Sequence, residues 1–402
     1  MPDDSPTFGL GLEKMAPTTT SRISMVRCCS YDSTSVKAAL KTAIDLLGGV
    51  SPFVKTGQSV LIKPNMLSPH PPEKAVTTHP SLVEAVVELV RAAGGIPSVG
   101  DSPGFYKFSR VAEVSGIGEA ARRAGALLVP FEREEEIATA DGCLMKKLVV
   151  AREVTRADAI ISLPKFKTHN LTCITAAIKN HFGYIPGLKK AEMHFRFSDG
   201  DRFSHMLADI ALSLPARLHI LDAIVGMDGN GPAAGDPFRT GLVIAGSDPV
   251  AVDSTACRVV GIDPLTIPMI RIASERGVGN VAEELIETVG EAIERVRVSG
   301  FRYTPPGGTG RLLPLPGFLL RRFKNWIVLR PRILHNVCTR CGACVEVCPA
   351  RPKALSLERG RIRIDDRACI LCYCCNEICP SRAIRLRRGF AAGALAKLLK
   401  IS

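Results

Sequence analysis

Nine of the chain's 14 cysteines lie after residue 337, and eight of them fall into two copies of one pattern. The copies share the spacing Cys-x2-Cys-x2-Cys-x3-Cys-Pro and are Cys338, Cys341, Cys344, Cys348 and Pro349, then Cys369, Cys372, Cys375, Cys379 and Pro380. The second copy begins 31 residues after the first. A repeat of such short thiolate spacings indicates a small domain organised around metal–thiolate bonds.

This spacing is typical of iron–sulfur proteins, because three closely spaced thiolates wrap one face of a cubane and the last cysteine of each run ligates the other run's cluster. It predicts two 4Fe–4S clusters. The ligands are Cys338, Cys341, Cys344 and Cys379 for the first cluster, and Cys369, Cys372, Cys375 and Cys348 for the second. A pair of structural zinc sites is the alternative, although zinc spacing usually separates two Cys-x2-Cys pairs by a longer loop. Cys374 stands outside the repeat and is interpreted as a packed spare thiol.

The segment between the two cysteine runs predicts a β-hairpin, because residues 354–357 and 361–365 alternate around Glu358-Arg359-Gly360. Residues 333–386 therefore resemble the bacterial two-cluster ferredoxin domain, a small α+β fold. The resemblance implies an electron conduit, since tandem clusters lie close enough for electrons to pass between them.

The net charge of +13 is concentrated at one end of the chain. Residues 301–402 contain 20 Lys and Arg against 5 Asp and Glu, whereas residues 1–300 contain 32 against 34. The basic residues are interleaved with cluster ligands and aliphatic side chains instead of lying on a reading helix, so we expect no nucleic acid as a partner. Lys and Arg around the clusters favour an acidic redox partner protein.

Several classes of protein are excluded or disfavoured by what the sequence lacks. It has no run of about 18 or more uncharged apolar residues, which a membrane-spanning helix requires. Residues 1–22 lack the basic and apolar regions of a signal peptide and are interpreted as a disordered leader. We therefore expect a cytoplasmic protein. A GxxxxGK[ST] phosphate loop and an HExxH zinc motif are both missing.

Residues 23–300 alternate strand-like and helix-like segments, which predicts an α/β body with a mostly parallel sheet. Ser59–Ile62 and Ala157–Leu163 read as buried strands, for example, and residues 81–93 read as a helix closed by Gly94-Gly95. Charged and glycine-rich turns follow these strands repeatedly. In such sheets ligands bind outside the carboxyl ends of the strands, so this edge is the expected site.

Five motifs of the body are similar to those of the family known as domain of unknown function 362. They are Val60-Leu-Ile-Lys-Pro-Asn65, Gly100-Asp-Ser-Pro-Gly104, Leu163-Pro-Lys-Phe-Lys-Thr-His169, Ala177-Ile-Lys-Asn-His-Phe-Gly183 and Asp222-Ala-Ile-Val-Gly-Met-Asp-Gly-Asn-Gly-Pro232. The resemblance covers residues 24–300. It implies an α/β body and frequent iron–sulfur binding, but it implies no particular reaction.

The polar residues at the predicted strand ends are the candidate site. Catalytic candidates are Lys165, Lys167 and His169, with His169 as the proton donor because imidazole titrates near neutral pH. Binding candidates for a small anionic substrate are Lys63, Asn65, Asp101, Lys179, Asn180, Asp228 and Asn230. The alternatives are solvated surface lysines, a structural histidine, and Asx turns or helix caps for the Asp and Asn residues.

Two basic segments flank the cysteine-rich domain, residues 301–332 as a linker and residues 387–402 as an amphipathic helix. Both mix Leu and Phe with Lys and Arg, so they fit either peripheral contact with an anionic membrane or docking on the body or a partner.

Together these features predict an iron–sulfur oxidoreductase in which the clusters pass electrons to an anionic substrate or cofactor at the strand ends of the body. The alternative is an electron-transfer or adaptor protein without chemistry of its own. The sequence leaves room for a flavin or a divalent metal in the body, with Asp228, Asp248 and Asp253 as oxygen ligands for the latter.

Overall fold

The computed structural model describes residues 19–140, 142–197, 199–305 and 330–387. Its strands before residue 300 are β1 Ser21–Arg27, β2 Ser59–Pro64, β3 Ile96–Val99, β4 Leu127–Leu128, β5 Glu134–Ala138, β6 Lys147–Ala151, β7 Ala159–Leu163, β8 Lys165–His169, β9 Cys173–Thr175, β10 Leu218–Asp228, β11 Asp236–Gly246 and β12 Ile286–Gly290. The predicted disordered leader 1–22 extends too far, because β1 begins at Ser21. Residues 1–18 of that leader lie outside the described residues.

The helices of the same region lie mostly on the two faces of the sheet. They are α1 Ser33–Leu46, α2 Pro80–Ala92, α3 Phe108–Val114, α4 Ile117–Ala124, α5 Arg152–Arg156, α6 Ala177–Asn180, α7 Lys189–Arg196, α8 Gly200–Ser213, α9 Pro249–Val259, α10 Pro268–Glu275 and α11 Ile293–Val296. Short 3-10 turns, among them His181–Tyr184, connect some of them.

Within the described part of the chain, ten strands form one mixed sheet with the order β12-β1-β11-β10-β7-β2-β3-β4, and β8 and β9 branch from β10. The pairs β2·β3, β2·β7, β3·β4 and β7·β10 are parallel, while β11 runs antiparallel to both of its neighbours. This confirms the predicted α/β body with a mostly parallel sheet.

Strand β2 shows why the sheet is buried on both faces. Val60 and Ile62 pack with α1 and α2 on one face, whereas Leu61 points to the opposite face and packs in the core that includes α8, α9 and α10. Alternate residues of a strand point to opposite faces, so an unbroken apolar run fits a sheet covered by helices on both sides.

Residues 165–169 form strand β8, whereas the sequence predicts only that they follow the end of the strand at 157–163. All five residues of β8 are buried, and Lys165 and Lys167 pair with Asp222 and Met227 of β10. The strand forms despite its two lysines because both ammonium groups find buried acceptors, as described below.

The C-terminal domain comprises β13 Arg330–Ile333, α12 Ala343–Glu346, β14 Leu355–Glu358, β15 Arg361–Ile364, α13 Cys374–Ile378 and β16 Ile384–Arg387. Strands β14 and β15 form the predicted hairpin, and β13 pairs antiparallel with β16 so that the two ends of the domain meet. The domain is the predicted small α+β unit.

The predicted linker 301–332 is divided between the two domains. Phe301 stacks on Phe166 with ring centroids 5.2 Å apart, and the Arg302 guanidinium donates two hydrogen bonds to Asp228, so this part belongs to the body. Residues 330–332 belong to β13. Residues 306–329 and 388–402, which include nearly all of the predicted amphipathic helix, lie outside the described residues. None of the helices that the structure describes is long and apolar enough to cross a membrane.

Candidate functional site

The four cysteines assigned to the first cluster lie around one cavity of the C-terminal domain. Cys338, Cys341, Cys344 and Cys379 line it together with apolar side chains such as Ile362 and Ile384. The backbone N–H of Ala383 donates to Cys379 Sγ at 3.2 Å, the kind of contact that stabilises a cluster thiolate. A ring of four thiols around a cavity, with an amide directed at a sulfur, fits a 4Fe–4S cluster.

The second set of cysteines is more deeply buried. Cys348, Cys372 and Cys375 are each at most 9% exposed. Cys369 lies within electrostatic range of Cys372 and Cys348, and Cys375 lies within that range of Cys369, Cys372 and Cys348 and also of Cys344 from the first set. The cysteines of the second set therefore lie near one another, and Cys379 of the second run lines the cavity of the first set.

The two cysteine runs wrap their sites with the same backbone conformation. Arg340 and Gly342 flank Cys341 with φ of 59° and 77°, and Leu371 and Tyr373 flank Cys372 with φ of 60° and 61°. Left-handed backbone is uncommon for residues other than glycine. Its recurrence at equivalent positions indicates that ligand placement determines the local chain path in both copies.

A cavity of about 120 Å³ lies between the body and the C-terminal domain. The body contributes polar residues from the ends of β2 and β3 and from α6 and α7, and the C-terminal domain contributes Val347, Cys374, Glu377 and Ile378. Of the predicted binding residues, Lys63, Asn65, Asp101, Lys179 and Asn180 line this cavity. We call it the interdomain pocket.

Two further contacts join the domains beside the interdomain pocket. Tyr106 OH donates to the Ile378 carbonyl at 2.8 Å, and Asn170 Nδ2 donates to Asn376 Oδ1 at 3.0 Å. Helix α13, which carries the predicted cluster ligand Cys375, thus forms one wall of the pocket. Cys374 faces the pocket from that helix and is 6% exposed, so it is a buried thiol outside both ligand sets.

Lys63 is held at the end of β2 by a buried network. Its Nζ lies 2.9 Å from Asp101 Oδ1 and 3.0 Å from Asn180 Oδ1, and it is 1% exposed. Burial lowers the pKa of Lys63, and Asp101 opposes that shift. A Cβ at Gly183 would lie 2.3 Å from Lys63 Cε, so only glycine leaves room for this ion pair.

Lys179 and Lys190 are the pocket lysines without a carboxylate within salt-bridge distance among the described residues. Lys179 Nζ lies over the rings of Phe182 and Phe203, at 5.3 and 5.8 Å from their centroids. Lys190 Nζ donates to the Ser102 carbonyl. Burial lowers the pKa of Lys190 to about 7, with Asp101 opposing the shift and the charges of Lys63 and Lys179 adding to it.

His169 lies outside the lining of the interdomain pocket and reaches it through Glu377. Its Nδ1 accepts the backbone N–H groups of Leu171 and Thr172 at 3.1 and 3.2 Å, which places the ring proton on Nε2. Nε2 lies 3.0 Å from Glu377 Oε1, although the two groups lack the alignment of a hydrogen bond. Burial and the charge of Lys179 lower the pKa of His169 to about 4, and Glu377 opposes the shift. His169 is therefore neutral near pH 7 and lies beside Glu377.

The other two predicted catalytic residues have structural partners. Lys165 Nζ donates to Asp222 Oδ2 at 2.8 Å and to Tyr31 OH at 2.9 Å, and Lys167 Nζ donates to Asn65 Oδ1 at 2.9 Å and to a backbone carbonyl. Neither lysine lines the interdomain pocket. Lys167 supports the pocket indirectly, because it holds the side chain of Asn65.

Asp228 and Asn230 lie on the side of the sheet where the chain leaves the body, and neither lines the interdomain pocket. Arg302 donates to Asp228 with Nε–Oδ2 and Nη2–Oδ1 distances of 2.9 and 2.7 Å.

The other two candidate metal ligands also have structural roles. Asp248 caps α9, and Asp253 accepts the N–H groups of Ala177 and Ile178 at the start of α6. These three carboxylates therefore have separate structural partners and do not share one site.

Three ionisable residues of the pocket, Lys190, His194 and Glu377, are not among those that the sequence patterns predict. His194 is 4% exposed and stacks on Phe203 with centroids 4.6 Å apart, and burial lowers its pKa to about 3. Lys190 and His194 share one face of α7 at i and i+4, which is a weak signal. Nothing in the sequence links Glu377 to the body, since that contact depends on how the two domains dock.

Comparison with known proteins gives two family matches. The sequence model of the domain of unknown function 362 family matches residues 60–258, and that of a 4Fe–4S dicluster domain matches residues 330–380. A thylakoid-associated protein of Synechocystis sp. is 38% identical over 264 residues, which cover 65% of this chain and 82% of that protein.

Two solved structures resemble part of the chain. A Thermotoga maritima protein has a TM-score of 0.36 at 16% identity, covering 57% of this chain and 58% of its own. The lactate racemase apoprotein of Thermoanaerobacterium thermosaccharolyticum has a TM-score of 0.35 at 13% identity, covering 58% of this chain and 55% of its own. The chain thus spans little more than half of either structure.

Proposed function

Because the chain belongs to the domain of unknown function 362 family and carries a C-terminal 4Fe–4S dicluster domain, we propose that this iron–sulfur protein is an oxidoreductase acting on a small anion in the interdomain pocket. The observation that carries the proposal is the position of α13. The helix that bears Cys375 also supplies Cys374, Glu377 and Ile378 to the pocket wall.

Two 4Fe–4S clusters, when bound, supply one-electron transfer steps. The residues of the body would bind the anion, orient it and donate a proton. Lys179 and Lys190 hold the anion, and Asn65 and Asn180 are fixed by lysine contacts so that they can orient it. Lys190, with a pKa of about 7, is the pocket group best placed to donate a proton near neutral pH. The aromatic and apolar walls exclude water from the anion.

The two cluster sites suggest a direction for electron flow. Cys341 of the first set is exposed and stands beside the exposed Arg340, whereas Cys348 and Cys375 of the second set are buried and adjoin the pocket residues Val347 and Cys374. Electrons would enter at the first cluster from an acidic donor protein and leave from the second. Residues 330–387 carry 12 Lys and Arg against 5 Asp and Glu, which suits such a donor.

The test is re-oxidation of the reduced protein by candidate substrates. Anaerobic protein is reduced with dithionite, desalted, and mixed with a panel of 2-oxo and 2-enoic acids while cluster absorbance is recorded. At least one acid should re-oxidise the clusters, accepting two electrons and two protons, and Lys179→Met should abolish that reaction while Lys189→Met preserves it. If no acid re-oxidises the clusters faster than buffer alone, but an oxidised acceptor protein does re-oxidise them, the adaptor alternative is correct.

We also propose that the protein contacts a membrane surface through its basic C-terminal segment. The support is the name of the thylakoid-associated relative and the Lys, Arg and Leu content of residues 387–402. Flotation with vesicles containing anionic lipid should recover the full chain and lose it on deletion of residues 389–402. Equal recovery of both forms would refute membrane contact by this segment.

A further inference from the structure

Charge balance in the interdomain pocket indicates which kind of anion it takes. Its charged wall residues are Lys63, Lys179, Lys190, Asp101 and Glu377. Lys63 and Asp101 neutralise each other at 2.9 Å. Two lysines then face the pocket against one carboxylate. An uncompensated buried charge is costly, so the pocket favours a ligand that brings one negative charge.

The ammonium groups of Lys179 and Lys190 still have hydrogen-bond donors for a ligand carboxylate. An ammonium offers three donors, and among the described residues Lys190 Nζ uses one of them on Ser102 while Lys179 Nζ has only the aromatic faces of Phe182 and Phe203. Both lysines line the interdomain pocket. A carboxylate, with acceptor sites on both oxygens, can take hydrogen bonds from both lysines.

The rest of the pocket lining carries no further charged group near neutral pH: its polar side chains are Asn65, Ser102, Thr175, Asn180, His194 and Cys374, and much of the remainder is apolar. Around the lysines lie Met66, Leu67, Phe105, Phe182, Val347 and Ile378. A second carboxylate on the ligand would have to lie against these side chains without a counter-charge. The volume of about 120 Å³ exceeds the roughly 10–15 Å³ that one water needs, and it suits a ligand of only a few heavy atoms.

We propose that the interdomain pocket binds a small aliphatic monocarboxylate, with its carboxylate between Lys179 and Lys190 and its apolar end against Val347 and Ile378. The inference rests on the proposed function only for the identity of the pocket. Binding to the oxidised protein requires no electron transfer, so it can be tested separately from the redox proposal.

The experiment is isothermal titration calorimetry of the oxidised full-length holoprotein at pH 6.5. The probes are propionate, its neutral isostere propionamide, the dicarboxylate succinate, and inorganic phosphate. Propionate should bind and propionamide should not. Succinate should bind at least about tenfold more weakly than propionate because its second charge lacks a partner, and phosphate should do so because its additional polar oxygens would lie against apolar side chains.

Matched lysine variants complete the test. Lys179→Met and Lys190→Met should each weaken propionate binding by about ten- to a hundredfold, since each removes a charge-assisted hydrogen bond. Lys189→Met is the control, because Lys189 precedes Lys190 but pairs with Glu134 at 3.3 Å outside this pocket. Cluster absorbance and circular dichroism verify that each variant is folded. The proposal is overturned if propionamide binds as well as propionate, if a dianion binds more tightly, or if the folded Lys179 and Lys190 variants bind like the wild type.

Discussion

Glu377 of the dicluster domain lies 3.0 Å from His169 of the body, across the junction of the two domains. Glu377 follows the predicted cluster ligand Cys375 by two residues, and His169 ends strand β8 of the body's sheet. The contact places the second cluster site next to the interdomain pocket. A carboxylate at this position competes with an anionic ligand for the lysines, which leads to the first prediction.

Glu377→Gln should tighten propionate binding. The substitution keeps the shape of the side chain but removes the negative charge that acts on Lys179. The removed repulsion should raise the affinity by about tenfold or more, since at an effective dielectric constant near 20 two unit charges 4 Å apart interact by about 4 kcal/mol. Calorimetry on the variant measures it. Glu346→Gln, an exposed glutamate on α12, is the control and should leave affinity unchanged; weaker binding by Glu377→Gln would contradict this reading.

The affinity for propionate should fall as pH rises above about 7. Lys190 has its pKa lowered to about 7, so the group is protonated and binds the carboxylate below that pH and is neutral above it. The affinity should fall by up to tenfold per pH unit, until the pH reaches the higher pKa that Lys190 has when propionate is bound. His194, with a pKa of about 3, stays neutral over this range. The Lys190→Met variant should show a flat profile between pH 6 and 8.5, and a profile with the wild-type slope would assign the titration to another group.

Asp222→Asn should destabilise the body by about 3–5 kcal/mol, the usual cost of leaving one partner of a buried ion pair alone. Lys165 and Asp222 are 1% and 0% exposed and lie 2.8 Å apart. Anaerobic urea unfolding, followed by circular dichroism, gives the difference. Asp45→Asn removes one partner of the exposed Lys41–Asp45 pair and should change stability by less than about 1 kcal/mol. Equal effects of the two variants would show that the Lys165 pair is not buried in solution.

Iron and sulfide analysis should return about eight irons per chain for the wild type, since two cubanes hold four each. Cys374→Ser should keep that content, because Cys374 lies outside both ligand sets. Cys344→Ser should lose about half of the iron or all of it. About two zinc ions per chain with no sulfide would contradict the cluster assignment, and iron loss in Cys374→Ser would show that this thiol is a ligand.

Arg340→Glu should slow electron delivery by an acidic protein donor, because Arg340 stands beside the exposed ligand Cys341. Stopped-flow mixing with a reduced acidic 2Fe–2S ferredoxin measures the rate, which should fall by tenfold or more at low salt and converge with the wild type at high salt. Arg361→Glu makes the same charge change on the hairpin and should have a smaller effect. Equal slowing by both variants would mean that the rate depends on the net charge of the domain and not on a charge at the position beside Cys341.

The strand–helix order and the cysteine repeat could be predicted from the sequence because both depend on local patterns. Val60 and Ile62 mark a buried strand by themselves, and each cysteine run carries its own spacing. The burial of Lys165 could not be predicted, because it depends on Asp222 and Tyr31, which are 57 and 134 residues away in the chain. The contact of Glu377 with His169 could not be predicted for the same reason, since it forms only when the two domains dock.

The reduction potentials of the two clusters, measured with and without propionate, show whether the pocket adjoins the second cluster. A bound anion close to a cluster opposes the gain of an electron, so the potential of one cluster should become more negative on saturation with propionate while the other changes less. By linkage, propionate should bind more weakly to the reduced protein. Lys179→Met should abolish the shift. If calorimetry shows that propionate is bound and neither potential moves, the pocket is not coupled to the clusters and the account is wrong.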